Sequence, residues 1–318
     1  MKAAVVTAAG QLPVFAEFEK PVAAAGQQIV HVAASALSQL TRAKAAGTHY
    51  SSHGVFPFVA GVDGVGRLEN GQRVYFFAPQ APFGAMGEYS VVDAAQCVPV
   101  PDELDDVTAA AAAIPGMSCW AALVERAGFV KGETVLVNGA TGASGRLAVQ
   151  IARYLGAGKI IATGRNPAAL GWLQSAGADV VIPLDQAEDT LSAALVPHLA
   201  AGVDVVLDYL WGPSARTLLV SAAKHLPEGQ QMRFVQIGSI SGAEISLPAA
   251  VLRATAINLM GSGIGSVPLP RLLHVVGQVL QAVIPAGLEV KTQAVPLAQL
   301  ADHWGAADSQ LRTVFTME

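Results

Sequence analysis

The alternation of apolar and polar positions changes character along the chain and then changes back. From Met1 to about Pro101 the apolar residues come in short β-type runs, "IVHVAASAL", "GVGRLENGQRVYFF" and "GEYSVV", separated by Gly and Pro, which predicts a mostly β domain. From about Ser118 two kinds of run alternate. "TVLVNG", "KIIATG", "DVVIPL", "VDVVLDYL", "FVQIGS" and "INLMGSG" read as strands, whereas "GRLAVQIARYLG" and "AALGWLQSAG" read as helices. Strand, helix and strand in succession predict an α/β domain built on one doubly wound parallel sheet. After about Ser266 comes a helical stretch, "LPRLLHVVGQVLQAV", and then a short strand-like segment, "LEVKTQAVPL".

Composition narrows the picture. With 318 residues, 52% of them hydrophobic, the chain can bury a large core and is expected to fold as two domains. A mean hydropathy of +0.44 raises the question of a membrane. The most apolar stretch, "VTAAAAAIPGMSCWAALV" from Val107 to Val124, is interrupted by Pro115-Gly116 and much of it is alanine, so it is read as a buried helix, a turn and a second helix. The start, "MKAAVVTAAGQLPVFAEFEK", reads as a first strand and not as a targeting segment. A net charge of -5 with 19 Lys plus Arg offers no basic surface for a phosphate backbone, so nucleic acid is not an expected partner. Cys97 and Cys119 lie far apart and form no CxxC pair, which suits a reducing cytoplasm.

The chemistry centres on "VLVNGATGASG", Val135 to Gly145. Gly139, Gly142 and Gly145 follow a strand directly and open an amphipathic helix carrying Leu147, Ile151 and Leu155 on one face. In such a unit the first glycine permits a tight turn, the second lets backbone approach a pyrophosphate, and the third lets helix pack on strand. The helix N-terminus adds free N–H groups and a positive dipole end. The bland alternative is a strand-to-helix turn without a ligand. At the end of the second strand, where NAD-type sites place a carboxylate for the ribose, this chain has Gly164 followed by Arg165-Asn166. A guanidinium there matches a 2′-phosphate, which favours NADPH over NADH unless Arg165 is a solvated loop residue.

Six landmarks in order carry a family resemblance: "FPFVAGVDGVGRLENGQRV", "GEYSVVDAAQCVPVPD", "IPGMSCWAAL", the glycine turn, "AGADVVIPLD" and "FVQIGS". The chain resembles the medium-chain dehydrogenase/reductase superfamily, and within it the zinc-free quinone oxidoreductase branch. The resemblance implies a GroES-like β domain over residues 1–117, a Rossmann domain binding NADP(H) over 118–265, and a return to the first domain over 266–318. It also implies a homodimer.

Departures from the family pattern matter as much. Zinc-dependent alcohol dehydrogenases of the superfamily place a Cys near the position of Ser38 and a His-Glu pair where this chain has Val62-Asp63, and the four-cysteine zinc lobe is missing. A hydroxyl and one carboxylate do not replace those zinc ligands. His49 and His53 lie in "HYSSHG", which reads as a loop, so no metal site is expected. Where the quinone oxidoreductase branch commonly has an Asn and an Asp three apart, this chain has Ser38 and Thr41, and Tyr50 is the nearest phenol able to donate a proton. These three are the catalytic candidates; alternatively Ser38 and Thr41 cap a helix and Tyr50 packs in a loop.

Carried over by position, Ser118 opens the helix under the nicotinamide, and Thr141, Gly142, Ala143, Ser144 and Gly145 wrap the diphosphate. Ile237, Gly238 and Ser239 lie beside the nicotinamide ribose, and Ser262 and Gly263 line the active-site edge. The expected activity is hydride transfer from NADPH to a quinone, an enone or a similar small electrophile. An enoyl-thioester or specific alkene reductase, and a non-catalytic NADPH-binding sensor, are the alternatives.

Overall fold

The computed structural model describes residues 1–49, 52, 55–305 and 311–317. The first part of the chain forms β1 (Lys2–Val6), β2 (Val14–Glu17), β3 (Gln27–Ala36), α1 (Gln39–Ala45), β4 (Phe58–Val59), β5 (Asp63–Leu68), β6 (Arg73–Phe77), β7 (Tyr89–Asp93), β8 (Cys97–Pro99) and α2 (Asp106–Ala121). Strand–helix alternation follows: β9 (Thr134–Asn138), α3 (Ala143–Tyr154), β10 (Lys159–Gly164), α4 (Pro167–Ser175), β11 (Val180–Pro183), α5 (Glu188–Ala200), β12 (Val205–Asp208), α6 (Gly212–His225), β13 (Met232–Gln236), α7 (Val251–Ala254) and β14 (Ile257–Gly261). The chain closes with α8 (Leu269–Ala282), β15 (Thr292–Pro296), α9 (Leu300–Trp304) and β16 (Arg312–Thr316). Two compact units result, one of Met1–Ile114 with Pro270–Glu318 and the other of Pro115–Leu269.

The first unit is β-rich. It holds a three-stranded antiparallel sheet, β2-β1-β4, and a seven-stranded sheet along β15-β16-β3-β5-β6-β8 with β7 also pairing with β3. The C-terminal segment completes this unit: β16 pairs antiparallel with β3, and Val295, Trp304 and Phe315 share a core with Ala4, Val6 and Met86.

The second unit carries six parallel strands in the order β11-β10-β9-β12-β13-β14. Its inner strands β9, β10 and β12 are buried and largely apolar because helices cover the sheet, whereas the edge strand β14 is mostly exposed. Leu136, Ile161, Val206 and Phe234 share one core with α5 and α6 through Leu191, Leu195, Leu218 and Leu219, while α3 packs with β9 and β10. Local chemistry sets the ends of these elements. Asn166 caps α4 by accepting from the Ala169 N–H at 3.0 Å, and Pro167 follows at the first helical position, where its fixed φ and missing N–H are tolerated.

One expectation fails. The stretch around Pro115-Gly116 is not a helix, a turn and a second helix, because α2 runs unbroken through both residues and continues into one π-helical turn, Ala122–Arg126. A proline inside a helix removes one backbone hydrogen bond and crowds the carbonyl four residues back. Here the tertiary packing overrides that penalty: Ala109 to Ala113, Cys119 and Leu123 are all fully buried. Asp106–Arg126 is long and apolar enough to cross a membrane by length and composition, yet 72% of its apolar window is buried inside the protein.

Candidate cofactor-binding site

In the parallel sheet β9 and β12 are neighbours, and the chain leaves β9 toward β10 on one side and β12 toward β13 on the other. The carboxyl ends of two such strands bound the crevice where open α/β sheets take ligands. The glycine turn sits there, and its three glycines have three different causes. Gly139 has φ +89°, a left-handed conformation that disfavours a side chain, and a Cβ on it would stand 2.7 Å from Leu210 Cγ. A Cβ on Gly145 would run into the backbone of Gly139 and Ala140, so this glycine lets α3 lie against the end of β9. Gly142 has neither reason. Its φ of -82° suits any residue, and a Cβ there would meet no atom within 4 Å. The open space beside Gly142 is what a ligand's approach requires.

Gly142 is also the N-cap of α3, and no side chain caps that first turn. The N–H groups of Ala143, Ser144 and Gly145 therefore have no helical acceptor and meet the positive end of the helix dipole. Thr141 and Gly164 fit together next to them: a Cβ on Gly164 would collide with the Thr141 side chain. Arg165 follows at the end of β10. It is exposed, with no hydrogen bond or ion pair among the described residues.

Several residues that sequence reasoning passed over support the turn. The Gly139 N–H donates to Thr163 Oγ1 at 3.2 Å, and Thr163 donates to Asn138 Oδ1 at 2.7 Å. Asn138 Nδ2 in turn donates to Asp208 Oδ1 at 2.8 Å and to Ser214 Oγ at 3.1 Å. The N–H groups of Leu210 and Trp211 close on the same carboxylate. Burial, opposed by these hydrogen bonds, pushes the Asp208 carboxyl up to about 6. Two polar residues ending the apolar strands "TVLVN" and "VVLD" were the available signal. Arg146 is a second omission: buried in α3, it donates from Nε to the Thr141 carbonyl at 3.2 Å and lies 5.1 Å over the Trp172 ring.

The remaining candidates for cofactor contact lie in the same unit. Ile237 and Gly238 follow β13 and donate their N–H groups to the Asp208 carbonyl at 2.7 and 3.1 Å, and Ser239 is exposed beyond them. A Cβ on Gly238 would stand 2.6 Å from the Tyr209 carbonyl. Ser262 and Gly263 follow β14; the Ser262 N–H donates to the Gln236 carbonyl at 2.8 Å. Ser118 lies within α2 and donates to the Pro115 carbonyl at 2.9 Å. Close to Ser118 and Cys119 is the Tyr209 hydroxyl, fully buried and without a hydrogen bond of good geometry, and burial holds its pKa well above the ordinary phenol value.

In the β-rich unit Ser38 is the N-cap of α1, accepting from the Thr41 N–H at 2.9 Å, and the two hydroxyls share a further hydrogen bond of 2.9 Å. Both residues are buried. Tyr50 and His53 lie outside the described residues. Asp63 is fully buried near Tyr75 and Arg312. Burial pushes its carboxyl up to about 7 against the pull of the Arg312 charge. Tyr75 is near enough to lower the Asp63 pKa, yet neither Asp63 oxygen has a hydrogen bond of good geometry among the described residues. No group of three His, Cys, Asp or Glu able to hold a metal occurs among the described residues.

A doubly wound parallel sheet with an open glycine turn at its switch point defines a dinucleotide-binding domain of Rossmann type. A family model described as zinc-binding dehydrogenase matches residues 143–280. The Emericella nidulans protein named "Probable NADPH-dependent quinone reductase tdiC" is 27% identical, with 98% of each chain covered. A phenolphthiocerol/phthiocerol polyketide synthase protein of Mycobacterium tuberculosis is 30% identical over 89% of this chain, and the match spans 13% of that much longer protein. The quinone oxidoreductase of Thermus thermophilus, solved also with NADPH, superposes over 100% of both chains with a TM-score of 0.82 and 25% identity. Over its whole length the chain is therefore similar to proteins named as quinone reductases and quinone oxidoreductases, and the dehydrogenase model matches its nucleotide-binding half.

Proposed function

We propose that the protein is an NADPH-dependent reductase that delivers hydride to a quinone, an enone or another activated alkene without zinc. The observation that carries this reading is the glycine turn at the switch point, where Gly142 faces open space beside the uncapped start of α3. The relatives whose names include NADPH and quinone support it. Bound NADPH supplies the hydride.

The chain's own residues bind and orient. The N–H groups of Ala143, Ser144 and Gly145 hold the pyrophosphate, and Arg165 pairs with the 2′-phosphate. Ser118, Ile237, Gly238, Ser239, Ser262 and Gly263 serve the nicotinamide end, following the rule that ligands sit at the carboxyl ends of parallel strands. Ser38 and Thr41 share one hydrogen bond between them, which leaves one hydroxyl proton to donate to a substrate oxygen. That is hydrogen-bond donation, not strong acid catalysis. It suits a conjugated acceptor that spreads the incoming charge by itself. The donor set argues against zinc, since Ser38 and Val62-Asp63 stand where zinc relatives carry Cys and His-Glu, and Asp63 is enclosed beside Arg312.

The test is single-turnover oxidation of NADPH by chelator-treated protein, offered quinones, enones and enoyl thioesters in turn. Oxidation by a quinone or enone supports the proposal, and oxidation by the thioester alone moves the activity to that substrate class. Tight NADPH binding with every acceptor silent replaces the enzyme by a non-catalytic NADPH-binding protein. Assembly as a cytoplasmic homodimer belongs to the same proposal, and sedimentation velocity measures the oligomeric state.

A further inference from the structure

Asp208 is fully buried and has no ion pair among the described residues. Its carboxylate instead gathers N–H donors, from Asn138 Nδ2 at 2.8 Å, Leu210 at 3.1 Å and Trp211 at 3.0 Å. Trp211 sits at φ +55°, a region that a bulky residue occupies only when its surroundings impose it. The segment so held reaches both sides of the crevice. Leu210 fills the space that a side chain on Gly139 would need, and the Tyr209 carbonyl does the same for Gly238. The Gly139 N–H is tied to the same carboxylate through Thr163 and Asn138.

We propose that Asp208 is a positioning residue for cofactor binding: its ionised carboxylate holds the Tyr209–Trp211 turn, which together with the Asn138–Thr163 relay sets Gly139 so that Gly142 stays open to the pyrophosphate. This inference rests on the NADPH reading above. An Asn at 208 keeps the size but presents an amide N–H where Asp208 Oδ2 accepts from Trp211, setting donor against donor. Protonating the carboxyl sets an O–H against the same N–H groups. Since burial lifts the Asp208 carboxyl to about 6, the proton is taken up in mildly acidic solution. The groups that face it are Asn138 from β9, with Thr163 and Ser214 behind it, and the Leu210 and Trp211 N–H groups of its own turn, none of which titrates in that range, while the Ile237 and Gly238 N–H groups at the end of β13 hold its backbone carbonyl. Charge alone predicts the opposite sign, because a carboxylate near a pyrophosphate repels it and its loss would tighten binding.

The experiment measures dissociation constants for NADP+ by calorimetry, between about pH 5 and pH 8, for the unaltered protein, Asp208→Asn and Leu210→Ala, with thermal melts of each. Protonation of the cofactor's own phosphate is common to all three and cancels in their ratios. The expected result is about tenfold weaker binding for Asp208→Asn near neutral pH, a deficit that shrinks below about pH 6 as the unaltered protein loses its own carboxylate. Leu210→Ala also weakens binding but keeps the pH dependence of the unaltered protein. Equal or tighter binding by Asp208→Asn, or a ratio that does not change with pH, overturns the proposal. If Asp208→Asn does not fold, Leu210→Ala decides, and unchanged affinity in that variant overturns it. Absence of binding by the unaltered protein removes the NADPH reading as well, whereas equal binding by a folded Asp208→Asn removes the role of Asp208 alone.

Discussion

Asn138 and Asp208 are register partners at the carboxyl ends of the neighbouring parallel strands β9 and β12, and the Asn138 amide donates to the Asp208 carboxylate at 2.8 Å. Crossovers leave these two strands in opposite directions, so the bond spans the mouth of the crevice. Buried polar groups of this kind must be satisfied together, and a chain of donors and acceptors running from the Gly139 N–H to Asp208 does so. The glycine turn is thereby fixed to the sheet from below while its outer edge stays free.

The freedom of that outer edge is open to direct test. A Cβ at Gly142 would meet no atom within 4 Å, so Gly142→Val should lower the melting temperature only by the modest cost of a poorer N-cap for α3. NADPH affinity should fall by about tenfold or more, because the pyrophosphate can no longer approach. Gly145→Ala should behave in the opposite way: its Cβ meets the backbone of Gly139 and Ala140, and overpacking of this kind costs about 1–3 kcal/mol of stability. Calorimetry and thermal melts of the two variants separate the roles.

On the proposed reading, Arg165 sets the choice of cofactor. Being exposed and without a hydrogen bond or ion pair among the described residues, it can be changed without loss of fold. A charge-assisted pair with the 2′-phosphate contributes about 1.5–3 kcal/mol, so Arg165→Asp should weaken NADPH binding by about one to two orders of magnitude. NADH has no such phosphate, and its affinity should hold or rise. Dissociation constants for both cofactors at one salt concentration measure the divergence, and equal losses for the two would make Arg165 structural.

Ser38→Ala tests the cap against the chemistry. Loss of the N-cap should lower stability by about 1 kcal/mol, since the Thr41 N–H then has no acceptor. If the Ser38–Thr41 pair donates one hydrogen bond to a substrate oxygen, as proposed, kcat should fall by no more than about tenfold. A much larger fall in kcat, measured with the best quinone or enone, would make Ser38 indispensable to the reaction instead of a positioning donor.

Asp63 should give the β-rich unit a distinctive pH dependence. Its carboxyl lies at about 7 in the fold against an ordinary 3.8, so the neutral form is the one folding favours. Its contribution to stability is therefore complete below the ordinary carboxylate range, declines as pH rises, and is lost above about 7, with a slope of up to about 1.4 kcal/mol per pH unit. Asp63→Asn should abolish that slope. Arg312→Met removes the charge that lowers the Asp63 carboxyl and should carry the decline to higher pH. Urea unfolding of the three proteins across a pH series reads both effects.

Much of this molecule was legible in the amino-acid sequence for a physical reason: the features concerned are local. The strands around the glycine turn are continuous apolar runs because helices bury both faces of a parallel sheet, and the turn itself is marked by Gly139 and Gly145, whose backbone geometry excludes side chains. Arg165 was placed by counting from those glycines along two short elements. A second change of pattern showed near Ser266, but that the C-terminal strand pairs with β3 appears only in the fold.

Tertiary structure decided what depends on residues distant in sequence. Pro115 reads locally as a helix break, but the buried alanines packed around it keep α2 continuous. Asn138 and Asp208 stand 70 positions apart, and nothing near either residue says that their strands are neighbours; strand order, set by which helices cover which face, brings the amide to the carboxylate. The left-handed Trp211 likewise has no local signal, since the donors that fix its turn converge on a carboxylate whose burial arises from the sheet as a whole. The sequence by itself determined where an anion could meet a helix N-terminus, because that needs only a strand, three glycines and a helix in succession. Only the assembled sheet decided what holds that meeting place in shape, because hydrogen bonds between strand ends exist once the strands lie side by side.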